Sequence, residues 1–457
     1  VECFEIAGDA CLCDGLFRGL APSPIQVGLR VSGFQDGGAW RCLKKWVARG
    51  AAQFLSAGLM LDLDLLRCRA AVRGFWRVMV ASVLALMMGR CVLAQASKGQ
   101  DYCSILGTQL IGGKYQFSAD PMLLEGAREV LEMGLTVYKF ALPAKHVFAS
   151  LAQHVAQDQV TRQVLDLPLS QYLLWVNAQS EGAWSHGLKP EQVLREYRHV
   201  YELTAHLLKA YRGSGKSFYL GHWEGDNMLR GGINKSSDAK MEDAVRVQGF
   251  IDWLRIRQQA VDDAKRDIPP EGVQVWHYTE VNHPTISLLE KRPSIANKVL
   301  PKVAVDFVSY SAYDSQHDAD LLRRTLDYLQ AQLKAKPGLP ARRVFIGEYG
   351  FWTWKDGRVQ NTPAQQDEKS RQVIRAALQW GCPFILYWQL YNNELDADGR
   401  QRGFWMIDDK GLRQPIYHTH RDFAQWVRGE VSRLRSSGVS APFGAELLQA
   451  AQKYFLR

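Results

Sequence analysis

The chain has 457 residues, 47% hydrophobic and 23% charged, a composition that excludes a largely disordered protein and allows one large domain or two modest ones. Its formal charge of +9 is diffuse, with eleven Lys/Arg against seven Asp/Glu in residues 1–94, and no basic stripe interleaved with aromatics marks a nucleic-acid partner. Cys3, Cys11, Cys13, Cys42, Cys68 and Cys91 crowd the early chain, but Cys11-Leu12-Cys13 lacks the C-x-x-C spacing and nearby histidines of a zinc module. The two later cysteines, Cys103 and Cys382, are open to pairing or to remaining free thiols.

Residues 1–71 show no sustained helical or strand period and read as an upstream extension, with Val72 as the preferred start; a genuine N-terminal extension is the alternative. Residues 72–94 then carry the three parts of a secretory signal. Arg73 and Arg77 precede an apolar run from Val78 to Met88, and Val92 and Ala94 stand before Gln95. The run is too short to cross a bilayer of about 30 Å comfortably, and Arg90 interrupts it. A secreted or periplasmic product with no stable membrane anchor is expected.

After residue 100, short apolar strands alternate with amphipathic helices. Candidate strands are Tyr115–Ser118, Thr136–Leu142, Tyr172–Asn177, Ser217–His222, Val273–Tyr278, Val305–Tyr310, Val344–Gly347 and Phe384–Trp388. Between or after them, helices are expected over Pro121–Met133, Pro190–Tyr211, Ala244–Lys265, Asp318–Lys334, Asp367–Trp380 and His418–Val427, where apolar residues recur every three or four positions. This alternation predicts an α/β fold, a closed (β/α)8 TIM barrel over residues 95–430, with 431–457 as a C-terminal helical tail; a doubly wound open sheet is the runner-up. Gly213-Ser214-Gly215-Lys216-Ser217 resembles part of a phosphate loop, but position 210 is alanine and the segment leaves a helix to enter a strand, so no nucleotide cofactor is expected.

Three of these strands run into a carboxylate, at Glu224, Glu280 and Glu348, and the same rim holds His222, Trp223, Asp226, His277, Tyr278, Asn282, Tyr310, Tyr313, Trp388, Tyr391 and Asn392. In a TIM barrel the C-terminal strand ends carry the chemistry. Paired carboxyls among flat rings suit cleavage of a glycosidic bond: one acid protonates the departing oxygen, the other attacks or activates water, and the rings pack against sugar C–H faces. A carbohydrate is therefore the expected partner.

These motifs resemble those of the retaining glycoside hydrolases built on the (β/α)8 barrel, which include many cellulases, mannanases and β-glycosidases. Ile346-Gly347-Glu348-Tyr349-Gly350 is similar to their strand-seven motif, Tyr387-Trp388 to the strand-eight tryptophan, and Val305–Tyr313 to strand six, where a tyrosine touches the nucleophile. The resemblance implies Glu348 as nucleophile. It also implies an acid/base on strand four, although neither Trp223 before Glu224 nor Thr279 before Glu280 is the asparagine usual there. Glu224 lies 124 residues before Glu348, room for three βα units, and Glu280 only 68, room for two. Glu224 is thus the expected acid/base, with Glu280 as a neighbour able to exchange roles with it.

Two other readings stay open at this level. His222, Glu224 and Asp226 alternate on one extended segment beside His277, which would suit a metal-dependent hydrolase, although no metal is the preferred expectation. The other is a non-catalytic carbohydrate-binding barrel. Sugar, linkage, endo or exo action and oligomeric state are not encoded legibly.

Overall fold

The computed structural model describes residues 102–142, 148–177, 182–233, 237–438 and 445–455. The proposed extension 1–71 and signal 72–94 lie outside them. Eight parallel strands close into a barrel: β1 (Leu106–Gln109), β2 (Val137–Ala141), β3 (Gln171–Trp175), β4 (Ser217–Gly221), β5 (Gln274–Val281), β6 (Phe307–Ser311), β7 (Val344–Tyr349) and β8 (Ile385–Tyr387). Each pairs with the next, and β8 closes on β1 through Leu106↔Ile385, Gly107↔Leu386 and Thr108↔Tyr387. This is a (β/α)8 barrel.

The first strand departs from expectation. Tyr115–Ser118 has no ladder partner among the described residues; the Phe117 and Ser118 amides instead donate to the Glu125 carboxylate, and the Tyr115 hydroxyl donates to the Ile407 carbonyl at 2.6 Å. The true β1, Leu-Gly-Thr-Gln, is four residues long and contains a glycine because its lumen face meets Val137, where a Cβ on Gly107 would come within 2.8 Å. β5 also runs three residues further than expected, to Val281, so Glu280 lies within the strand rather than beyond it.

The main connecting helices are Met122–Glu132, Pro190–Ala210, Ala244–Asp267, Ala319–Gln332, Pro363–Trp380 and Pro415–Ser436, within a few residues of their expected cores at most ends. Their starts have ordinary chemical causes, such as the Asp243 carboxylate accepting from the Val245 and Arg246 amides, and Pro363 following a Thr362 cap. Short helices Leu151–Gln157 and Gln159–Asp166 fill the β2–β3 crossover. Beyond the barrel, helix Ala445–Tyr454 leads into Phe455, and Tyr454 and Phe455 pack on Phe423. Among the described residues no helix is long and apolar enough to cross a membrane.

Two apolar layers result from strand parity. Outward residues such as Phe218, Leu220, Val275 and Val281 meet the helices, while Val137, Leu173, Tyr219, Tyr278, Phe307, Phe345, Phe384 and Leu386 fill the lumen. The lumen rings meet edge to face, Tyr219 on Phe307 at 5.3 Å and on Phe384 at 5.1 Å, Tyr278 on Phe345 at 5.6 Å. This plug supports the mouth at the strands' C-terminal ends. It needs Gly221, since a Cβ there would lie 2.1 Å from Tyr278 Cζ.

Gly221→Ala should therefore destabilise the fold by about 1–3 kcal/mol through overpacking. Gly429→Ala, in helix Pro415–Ser436 with open space at its Cβ position, should stabilise it by about 0.5–1 kcal/mol. Urea unfolding midpoints of the two variants check both signs.

Candidate active site

A buried ammonium organises the barrel mouth. Lys139 points into the lumen from β2, is fully buried, and donates to Glu348 Oε1 at 2.8 Å and Glu280 Oε2 at 3.0 Å. The Trp175 ring lies 4.4 Å from its Nζ. Burial pulls the proton affinity of Lys139 down, but the two carboxylates outweigh it and hold the amine above its usual range.

Glu348 reaches the lumen by a backbone irregularity. Phe345 faces in and Ile346 out, so simple alternation would turn Glu348 outward and Tyr349 inward; instead the register shifts beside Gly347–Glu348, and Tyr349 joins the outer core. Gly347 makes this possible, because a Cβ there would sit 1.8 Å from Ser309 Oγ. Glu348 is 2% exposed, and its second oxygen accepts from the Tyr313 hydroxyl at 3.2 Å. Burial raises its proton affinity, Lys139 opposes that and Glu280 adds to it, leaving the carboxyl at about 7.

Glu224 stands just past β4, at the start of a short helical turn, with Asn227 Nδ2 donating to its Oε2 at 2.5 Å. Burial, then the charges of Glu348 and Glu280, push its carboxyl well above the ordinary range. It is the most exposed of the three glutamates at 9%, and among the described residues no Lys, Arg or His side chain pairs with it.

Glu280 is held quite differently. Its Oε2 accepts from Lys139, Ser309 Oγ at 3.1 Å and Trp175 Nε1 at 3.4 Å, and its Oε1 from the Glu224 amide at 3.1 Å and Ser311 Oγ at 3.2 Å. Five donors on a wholly buried carboxylate leave little capacity for a substrate proton.

Of the expected rings, Trp388 stays at the mouth, 7% exposed and 6.4 Å from Trp175, and Trp223 and Tyr313, partly exposed, pack against the same lumen cluster. Tyr278 is instead part of the plug, wholly buried beneath Gly221. Other expected site residues serve the scaffold. The Asp226 carboxylate accepts from the amides of Ile295, Asn282 and His283, while Asn282 Oδ1 accepts from the Asp226 and Asn227 amides, so the two clamp the loops after β4 and β5 to each other. Tyr310 faces outward, its hydroxyl bound to Asp314 and to Ser315 at 2.6 Å. The Tyr391 hydroxyl donates to Glu125 at 2.8 Å, and the Asn392 amide bonds the Glu394 carbonyl and Gln401.

The two histidines also point away from the mouth. His222 Nδ1 lies 2.7 Å from the Trp223 carbonyl and Nε2 2.7 Å from Thr279 Oγ1, with its ring against Phe250 and Trp253; burial pulls it down to about 3. His277 Nδ1 lies 3.2 Å from Gln258 Oε1 on the outer side of β5. With His222 and Asp226 so engaged, the metal-dependent alternative lacks its ligand set, and among the described residues no three His, Cys, Asp or Glu side chains are arranged to hold a metal ion. The structure adds Lys139, Trp175, Asn227, Ser309 and Ser311, which sequence reasoning passed over. The available signal was Lys139 itself, a charge amid Val137, Tyr138 and Phe140.

No family model matches this sequence, and no curated protein matches it significantly. Similar solved structures include a family 39 glycoside hydrolase from Bacteroides cellulosilyticus WH2, at 12% identity and TM-score 0.47, with 71% of this chain and 64% of that one covered. Others are the exo-beta-1,4-mannosidase Op5Man5 from Opitutaceae bacterium strain TAV5 (13%, TM-score 0.47, 72% and 60% covered) and a Bifidobacterium dentium beta-glucuronidase (13%, TM-score 0.43, 70% and 46% covered). The match thus spans less than two thirds of the length of each.

The raised proton affinity of Glu224 has a consequence for stability. The folded state holds this proton more tightly than the unfolded chain, whose carboxyl titrates near 4.5, so ionisation penalises the fold as pH rises through that value and beyond. Glu224→Gln should melt close to wild type at pH 4 and at a higher temperature than wild type at pH 7. Calorimetry across that range checks the widening gap.

Proposed function

We propose that this chain is a glycoside hydrolase working by a retaining, two-carboxylate mechanism, with Glu348 as nucleophile and Glu224 as general acid/base. One observation carries the reading: two carboxyls share one barrel mouth but have opposite surroundings. Lys139 and Tyr313 bond Glu348 and favour its carboxylate against burial, whereas Glu224 accepts from the Asn227 amide but is dominated by burial and the charges of Glu348 and Glu280, which favour its protonated acid. Environments that push two carboxyls apart in this way assign base-like and acid-like roles.

In the first step a carboxylate oxygen of Glu348 bonds to the anomeric carbon as the bond to the departing oxygen breaks, and Glu224 passes its proton to that oxygen. Glu224, now a carboxylate, then takes a proton from water as the water oxygen displaces Glu348. Each step inverts the anomeric carbon, so the product keeps the starting configuration. The near-complete burial of Glu348, with both oxygens on protein donors, suits direct attack better than carrying a water. Trp388, Trp175 and Trp223 offer planes for sugar C–H faces, and Tyr313, kept protonated by burial and the neighbouring carboxylates, steadies Glu348 as a neutral donor. The signal-like segment 72–94 supports action on an extracytoplasmic poly- or oligosaccharide.

A panel of glycosides assayed with purified protein tests this. Glu224→Gln and Glu348→Gln should each lose about 10²–10⁴-fold or more in kcat on any substrate wild type cleaves, and proton NMR should show the retained anomer first. Full activity in Glu348→Gln would contradict the mechanism. For wild type, kcat/KM should rise as Glu348 ionises around pH 7 and fall at higher pH as Glu224 loses its proton. A profile flat from pH 5 to 9 would oppose the assignment.

A further inference from the structure

Glu280 lies at the same mouth as the two reacting carboxyls yet touches both through the protein. Its Oε1 holds the Glu224 amide at 3.1 Å, and its Oε2 holds Lys139, which in turn holds Glu348. Ser309, Ser311 and Trp175 complete its shell. An acid that meets a leaving oxygen needs an accessible proton and room to approach it. Glu280 is 0% exposed and its oxygens are fully engaged.

We propose that Glu280 and Lys139 form a positioning ion pair that outlasts the reaction, Glu280 fixing the loop that carries Glu224 while serving as the counterion Lys139 keeps when Glu348 becomes an ester. The proposal rests on the assignment of Glu348 and Glu224 above. Forming the bond from Glu348 to the anomeric carbon turns one carboxylate into a neutral ester, and the proton leaving Glu224 turns one acid into a carboxylate. The total charge of the three glutamates is unchanged, but Lys139 loses a partner. A buried ammonium without a counterion is strongly disfavoured. Glu280 prevents that state, and when water displaces Glu348 the released carboxylate returns to an ammonium already in place.

The groups facing the pair come from several elements. Glu348 faces it from β7, Glu224 from beyond β4, Tyr313 from beyond β6, Tyr278 from below on β5, and the Trp175 ring from β3; His222 lies behind the wall, near enough to feel Lys139. Glu280 raises the proton affinity of both Glu348 and Glu224, and Lys139 lowers both. Removing either charge must therefore move the same two titrations, in opposite directions.

The experiment compares pH profiles of kcat/KM for Glu280→Gln, Lys139→Met and the double variant. Glu280→Gln should move both limbs to lower pH by about one unit, Lys139→Met should move both upward by about one unit, and the double variant should fall between them. A purely structural contribution would lower kcat and leave the limbs in place, which would overturn the proposal. So would recovery of Glu280→Gln by azide on an activated glycoside, because that identifies an acid/base. Titration of ¹³C-carboxyl-labelled glutamates by NMR needs no substrate and no turnover: Glu348 should titrate lower in Glu280→Gln and higher in Lys139→Met, and equal values would overturn the pair. If wild type cleaves no glycoside, the reading of Glu348 and Glu224 fails while the titration still decides the pair. Should Lys139→Met fail to fold, Glu280→Gln, which keeps the side-chain shape, carries both readouts.

Discussion

The barrel mouth depends on one buried charge. Lys139 stands between Glu280 and Glu348 with no exposed surface, and removing one partner from a buried ion pair is typically worth about 3–5 kcal/mol of stability. That constraint orders the rest. Three carboxylates at one desolvated site disfavour one another's charge; Lys139 bonds two of them, and Glu224, with no counterion of its own among the described residues, becomes the group that prefers its proton. The proposed division of labour between the carboxyls rests on where Lys139 is placed.

Placing it requires the layers beneath. The aromatic plug of Tyr219, Tyr278, Phe307, Phe345 and Phe384 fills the lumen below Lys139. Two glycines let Glu224 and Glu348 clear this packing: Gly221 yields to the Tyr278 ring three residues before Glu224, and Gly347 yields to Ser309 immediately before Glu348. The strand irregularity at Gly347–Glu348 turns a side chain that alternation would send to the helices into the lumen. Asp226 and Asn282, each holding the other's loop by backbone amides, keep the segment after β4 in place. Rigid support of this kind, rather than a mobile loop, sets the position of Glu224.

Much of this is legible from the chain alone. Seven of the eight strands are marked by apolar runs bounded by turn residues, and the spacing from Glu224 to Glu348 fits the three βα units that separate the segment after β4 from β7. β1 is not legible because Leu-Gly-Thr-Gln has too little β propensity to stand out, whereas Tyr115–Ser118 alternates like a strand yet is held by Glu125 and Ile407. Strand parity separates rim residues that sequence proximity groups together. His222 and His277 project to the helix side, Tyr278 lies a layer too low, and Asp226, Tyr310, Tyr391 and Asn392 spend their polar atoms on scaffold contacts. Lys139 escapes notice because a lone lysine in a strand usually signals an exposed face; only the fold shows which carboxylates make its burial tolerable.

Trapping the bond from Glu348 to the sugar tests the proposed mechanism. Wild-type protein is incubated with activated 2-deoxy-2-fluoro glycosides of the sugars it cleaves, digested, and mapped by mass spectrometry. A stoichiometric glycosyl adduct on Glu348 is expected. An adduct on Glu280 or Glu224, or none alongside a product of inverted configuration, would contradict it.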